Sequence, residues 1–178
     1  GRTGGAAAVV DGQLYVVGGT TGSTLQTTLF RYDPAQDTWT APGDLPGLPV
    51  ARDRLAAVEA GGRLVVVGGS IAPPGHGSTR VDMYDPATSA WRLATPLPVG
   101  RSAAAVVSLH DRLYVLGGAL PGATLTATGQ THVYASVLEP TVMVTQAGAA
   151  ATYGAVTPLT LTYGTAGGAR AETVTAAP

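Results

Sequence analysis

Apolar residues in this chain fall in runs of four to six, closed by Gly, Pro, Asp or Thr, and one such run is written three times. Leu64-Val65-Val66-Val67-Gly68-Gly69 has a counterpart in Leu14-Tyr15-Val16-Val17-Gly18-Gly19, 50 residues earlier, and another in Leu113-Tyr114-Val115-Leu116-Gly117-Gly118, 49 residues later. Each is preceded by a second run with many small residues: Ala6-Ala7-Ala8-Val9-Val10, Leu55-Ala56-Ala57-Val58, and Ala103-Ala104-Ala105-Val106-Val107. Between the runs stand Asp11-Gly12, Gly61-Gly62 and His110-Asp111. Two-residue hairpin turns need residues that tolerate φ > 0, and Asp-Gly is among the strongest short-range hairpin signs. The pattern predicts three antiparallel hairpins, one per repeat.

The remainder of each repeat adds two more strands. In the first copy a polar loop, Thr20–Thr27, leads to a strand around Leu29-Phe30-Arg31-Tyr32, and Asp33-Pro34-Ala35-Gln36-Asp37 turns the chain. Proline presets φ there, and an Asp side chain bonds the backbone ahead of it. Trp39 marks a fourth strand, and Pro42, Pro46 and Pro49 close the unit. The second copy repeats this with a loop holding Pro73-Pro74-Gly75-His76-Gly77, a strand Val81-Asp82-Met83-Tyr84, a turn from Asp85-Pro86, and Trp91. In both copies the Trp follows the Tyr by seven residues. The third reaches Tyr134 after a long loop, Ala119–Thr131. No segment has a helical period, and β-branched residues recur throughout. Four short strands in each period of about 50 residues predict stacked four-stranded sheets.

Composition narrows the chemistry. Of 178 residues 12% are charged; all ten basic residues are Arg, and eleven acids bring the net charge to −1. Such a balance offers no basic stripe to nucleic acid. Cysteine is absent, which removes disulfides, thiolate metal sites and cysteine nucleophiles. No apolar run approaches the roughly 20 residues of a membrane span.

Arg2, Arg52 and Arg101 lead the three copies, and with Gly18-Gly19 and Gly68-Gly69, Tyr32 and Tyr84, Trp39 and Trp91 they resemble the kelch repeat pattern over 2–39, 52–91 and 101–134. The resemblance implies an all-β, kelch-type β-propeller whose repeats are four-stranded blades. Small residues would then sit on crowded inner strands. The glycine pairs, Gly117-Gly118 included, would let a neighbouring backbone approach, and Tyr and Trp would fill the outer gap between blades. The third copy departs from the pattern: Tyr134-Ala135-Ser136 replaces Tyr-Asp-Pro, and Thr141 stands where Trp is expected. Either Val142-Met143-Val144 forms a Trp-less fourth strand, or an upstream segment completes that blade. Three blades make an open arc, because a ring takes about four to eight. The expected division is a partial propeller over 1–140 (blades near 1–49, 50–99 and 100–140), completed by remaining blades of a parent chain, and a β-rich segment over 141–178. That tail is Thr/Ala/Gly-rich, and Ala151-Thr152-Tyr153-Gly154 resembles the start of a bacterial Ig-like domain.

Several residue sets invite a chemical reading. The glycine pairs lack the spacing and the helix of a phosphate loop. Asp33, Asp37 and Asp85 lack the alternating acids of a calcium loop and fit turns. His76, His110 and His132 form no metal-binding pair, so no metal and no cofactor is expected. His110 occupies the hairpin position of Asp11 and Gly61, while His76 tips a glycine-rich loop where a ligand contact is conceivable. The recurring Arg2, Arg52 and Arg101 would form an arc on one rim. There they would either hold carboxylates by paired hydrogen bonds or tie down loops through backbone carbonyls. The function expected from these features is a non-catalytic binding or display module for a protein or glycan ligand, extracellular or at a cell surface. Alternatives are part of a kelch-type enzyme, similar to a sugar oxidase or a sialic-acid mutarotase with its catalytic residues elsewhere, or a passive spacer.

Overall fold

The structure is a computed structural model, and it describes residues 1–71, 77–110, 112–122, 126–134, 143–145, 159–165 and 168–174. These residues contain strands and no helix. The first repeat comprises β1 (Ala6–Val10), β2 (Gln13–Val17), β3 (Thr20–Thr21), β4 (Thr24–Leu25), β5 (Leu29–Asp33) and β6 (Thr38–Trp39). The second comprises β7 (Ala56–Ala60), β8 (Arg63–Val67), β9 (Val81–Asp85) and β10 (Ala90–Leu93). The third comprises β11 (Ala105–Leu109), β12 (Arg112–Leu116), β13 (Ala119–Leu120), β14 (Thr126–Ala127), β15 (Thr131–Tyr134) and β16 (Met143–Thr145). A separate hairpin follows, β17 (Leu159–Thr165) with β18 (Gly168–Val174).

Three four-stranded antiparallel sheets result, in the orders β1-β2-β5-β6, β7-β8-β9-β10 and β11-β12-β15-β16. Their registers coincide: Ala6 pairs with Val17, Ala56 with Val67, and Ala105 with Leu116. The predicted hairpins form where the turn residues required them, with φ of 48° at Asp11, 60° at Gly61 and 50° at His110. The Asp-Pro turns close as expected too. Asp33 Oδ1 accepts from the Ala35 amide at 2.9 Å, and Asp85 Oδ1 from the Ala87 amide at 2.9 Å.

Two details differ from the expectation. Thr20–Thr27 is not wholly loop, because Thr20 and Thr21 pair with Leu25 and Thr24 in a small hairpin, and Ala119-Leu120 pairs likewise with Ala127 and Thr126. Two-residue strands carry no alternation by which to read them. In the third sheet, Met143 pairs with Tyr134 as Trp39 pairs with Tyr32 and Trp91 with Tyr84. The Trp-less fourth strand is thus the alternative that the sheet adopts.

The core lies between sheets. Val10, Tyr15, Val17 and Leu29 of the first sheet pack with Leu64, Val66 and Tyr84 of the second. Val65, Val67, Val81 and Met83, on the opposite face, pack with Leu113 and Val115 of the third. β7 lies against β1 on one side and β11 on the other, and the small residues of these strands permit that approach. Tyr84 stacks obliquely on Trp91 at 5.2 Å, and Trp91 Nε1 donates to the Pro46 carbonyl at 2.8 Å, closing the outer gap to the first repeat. In every repeat the segment after the glycine pair leaves the same end of its sheet, the end taken here as the loop side.

Candidate functional site

The repeating arginines are anchors of that loop side. Arg2 Nη1 donates to the carbonyls of Gly18, at 2.6 Å, and Thr28, at 3.3 Å, and Nη2 bonds the Thr28 hydroxyl. Arg101 does the same two repeats later, reaching the Gly117 carbonyl at 2.7 Å and Gln130 Oε1 at 3.0 Å. Arg52 forms an ion pair of 2.8 Å with Asp82, which also chelates Arg80 through Nε at 2.9 and 3.0 Å. Arg52, Arg101 and Asp82 are wholly buried. Burial presses all three leading guanidinium groups below their usual value, and Asp82 pushes that of Arg52 back up. Of the two readings available to these arginines, these contacts are those of loop tying. The structure places no exposed guanidinium of Arg52 or Arg101 on a rim.

The other marked residues also have places. The Gly19 amide donates to the Arg52 carbonyl at 2.7 Å, and the Gly69 amide to the Arg101 carbonyl at 2.8 Å. The glycine pairs are therefore points of contact between successive repeats. His110 is a hairpin residue. His132 lies on β15, opposite Val115 and Thr145. His76 falls outside the described residues.

Among the described residues, two concave surfaces with polar linings stand out. One, of about 510 Å³, runs along the outer edge of the second sheet and is lined by Arg63, Asp85, Thr88, Ala90, Trp91 and Arg92. It is shallow, belongs to a single sheet, and its Arg63 and Asp85 already pair at 3.3 Å. The other, of about 170 Å³, is a cleft assembled from both first and second repeats by Thr20, Ser23, Leu25, Asp53, Arg54 and Ser70. It opens on the loop side, so it is the better candidate for recognition.

The cleft is built around Asp53-Arg54. Asp53 exchanges backbone bonds with Ser70 at 3.1 and 2.7 Å, which fixes its wall. Thr20 Oγ1 donates to Asp53 Oδ2 at 3.3 Å, and Arg54 Nε lies 3.6 Å from Asp53 Oδ1. The Arg54 side chain is 34% exposed, and its backbone is left-handed, with φ of 48°. Gly4 and Ala103 hold the same position in the neighbouring repeats, with φ of 63° and 53°. The Arg54 amide donates to Gly4 O at 2.7 Å, and the Ala103 amide donates to Arg54 O at 2.7 Å. This residue was not among the sequence candidates. Its sign was Gly4, since a glycine in one repeat marks a backbone position that non-glycine residues occupy only under strain.

Chemically the cleft offers hydroxyls, a carboxylate and a half-free guanidinium around a small apolar floor from Leu25. Among the described residues no histidine lines it. Among the described residues no three His, Asp or Glu side chains gather as metal ligands.

Blades of this order, joined through glycine pairs and backed by Tyr-Trp pairs, define a class of β-propeller repeat. The chain belongs to the kelch-repeat family: the model of the Kelch motif matches residues 1–46 and 51–98. It is similar to Kelch-like protein 35 of Mus musculus, 36% identical over 109 residues, covering 61% of this chain and 18% of that protein. It is similar also to Kelch domain-containing protein 10 of Homo sapiens, 30% identical over 123 residues (64% of this chain, 28% of that protein). Beta-scruin of Limulus polyphemus is 32% identical over 119 residues, 64% of this chain and 13% of that protein. The chain thus spans well under a third of each of these relatives.

Proposed function

We propose that this chain is a protein-binding module that takes a polar segment of a partner at the loop-side cleft between its first and second repeats. The observation that carries this reading is Arg54. A bulky residue held at φ of 48° costs roughly 1–2 kcal/mol over glycine, and the first repeat has glycine at that position. Strain of this kind is commonly found where a side chain is needed for recognition. The side chain concerned points into a cleft walled by Asp53, Ser70 and Thr20. Membership in a family whose relatives are kelch proteins supports a protein rather than a glycan as the partner.

The test is a protein and peptide array probed with the chain, its Arg54→Gly variant and its Arg63→Ala variant. Binding should fall at least tenfold with Arg54→Gly and persist with Arg63→Ala, which alters only the outer groove. Arg54→Gly should also raise stability by roughly 0.5–1 kcal/mol, as strain relief partly offset by the backbone entropy of glycine. Binding that ignores Arg54, or depends on Arg63 instead, would move the site out of the cleft. A chain that binds nothing on the array would favour the spacer reading.

A further inference from the structure

An indole closes the outer gap between the first and second sheets, and the register position that would supply one to the next gap holds methionine. Trp91 of β10 reaches the first repeat, where its Nε1 donates to the Pro46 carbonyl at 2.8 Å. In β16 the equivalent position is Met143, which pairs with Tyr134 as Trp91 pairs with Tyr84. Methionine has neither a planar ring nor an N–H to donate. The carbonyl that corresponds to Pro46 in the second repeat is that of Thr95. Leu48 and Leu97, each two residues further on, fix this match, since their amides donate to the Thr27 and Thr79 carbonyls at 2.6 and 2.7 Å. The Pro46 carbonyl is taken by the indole, whereas that of Thr95 accepts no hydrogen bond among the described residues.

The groove of about 510 Å³ lies on the sheet face that borders this second gap. Arg92 pairs with Met83, and Met83 with Val65. Directly paired residues share a face, so Arg92 stands on the face where Val65 and Met83 pack with the third sheet. Arg63, Asp85 and Ala90 form the next row of that face. The same row in the first sheet is Gln13, Asp33 and Thr38, and Gln13 Nε2 donates to Asp33 Oδ2 at 3.3 Å as Arg63 Nε does to Asp85 Oδ2. The two faces differ in charge, because Arg63 and Arg92 replace Gln13 and Thr40. Asp85 holds Arg63, but the exposed Arg92 side chain makes no ion pair or hydrogen bond among the described residues. A guanidinium is attracted to an aromatic face, as Arg2 shows at 5.1 Å from the Phe30 ring centroid. It also takes carboxylates through paired hydrogen bonds.

We infer that this groove is a second recognition site, which takes the tryptophan side chain of an acidic segment of a partner protein. The indole fills the place that Trp91 fills one junction earlier, and its N–H donates to the Thr95 carbonyl. A carboxylate beside it pairs with Arg92, which answers the excess of two guanidinium groups over one carboxylate in the lining. Arg63 stays on Asp85 and forms the floor. A shallow groove of this kind suits one ring. It is separate from the cleft at Arg54, which opens on the loop side, whereas Arg63 and Asp85 lie at the opposite ends of β8 and β9.

Fluorescence anisotropy of a dye-labelled, amidated peptide with one tryptophan between glutamates tests this on the 178-residue chain. Saturable binding is expected, at least tenfold weaker when alanine replaces the tryptophan or glutamine the glutamates. Arg92→Glu, at an exposed position, should weaken it at least tenfold. Met143→Trp should do the same by supplying the ring from within the chain. An unchanged far-UV spectrum identifies folded variants, and Arg92→Glu decides alone if Met143→Trp does not fold. No saturable binding at millimolar peptide, as expected if another part of the protein covers the groove, would overturn the inference. So would an alanine peptide bound as well as the tryptophan one, which leaves charge attraction only. A glutamine peptide bound equally well, or folded variants that bind like the wild type, would overturn it too.

Discussion

Asp82 is buried between two guanidinium groups, and its removal should be among the costliest single changes in the chain. Arg52 is wholly buried and 2.8 Å from it; Arg80, partly exposed, completes the cluster at 2.8 Å. Breaking a buried pair by deleting one partner typically costs about 3–5 kcal/mol, because the remaining charge is stranded. Arginine cannot relieve this by losing its proton. Asp82→Ala should therefore lower the urea midpoint by that equivalent, and Asp82→Asn, which keeps an acceptor, by less. A loss under about 1 kcal/mol would mean that Arg52 finds water or another acceptor, and that the pair does not hold the loop. The recurrence of Arg2, Arg52 and Arg101 was plain in the sequence, and so were both of their readings. What spacing alone left open was burial: the choice between rim ligand and loop anchor depends on how closely the next repeat packs. Arg54, two residues beyond Arg52, was legible only by aligning it with Gly4 and asking why one repeat uses glycine there.

At the scale of elements, the glycine pairs decide how closely repeats approach. Gly68 has φ of 61°, and a Cβ added there would stand 2.5 Å from the Arg101 carbonyl oxygen. That oxygen accepts the Gly69 amide at 2.8 Å, so it cannot retreat without breaking the junction. Gly68→Ala combines left-handed strain of roughly 1–2 kcal/mol with a backbone clash, and should destabilise the chain by about 2 kcal/mol or more. Gly12→Ala is the matched control: its φ is 76° but no atom lies within 4 Å of the added Cβ, so it should show the strain alone. Equal losses in thermal melts of the two variants would deny the junction any special role. The strands themselves were legible because short apolar runs, Asp-Gly and Asp-Pro turns, and the Tyr-to-Trp spacing all pointed the same way. The outer strand of the third sheet was harder, since Met143 replaces Trp. Only pairing with Tyr134 shows which of two alternatives the chain takes.

Across the whole molecule, near-identical runs acquire different burial from their place in the stack. In β8 Leu64, Val65, Val66 and Val67 are all at most 2% exposed, because sheets cover both faces. In β2 and β12 only alternate residues are buried, at Tyr15 and Val17 and at Leu113 and Val115. The sequence of a repeat says little about this, since it depends on how many neighbours the repeat has. Stability in such arrays is approximately a sum of unit terms and nearest-neighbour terms, so the second sheet, with two neighbours, should open least often. Native-state hydrogen exchange can resolve this, because opening free energies vary between regions of one fold. At protein concentrations low enough for single chains to dominate, the amides of Leu64–Val67 should exchange at least tenfold more slowly than those of Leu14–Val17 and Leu113–Leu116. Equal protection in all three sheets at low concentration would show that the stack unfolds as one cooperative unit. The junctions would then be stronger than the sheets they join, and the difference in burial would carry no local stability.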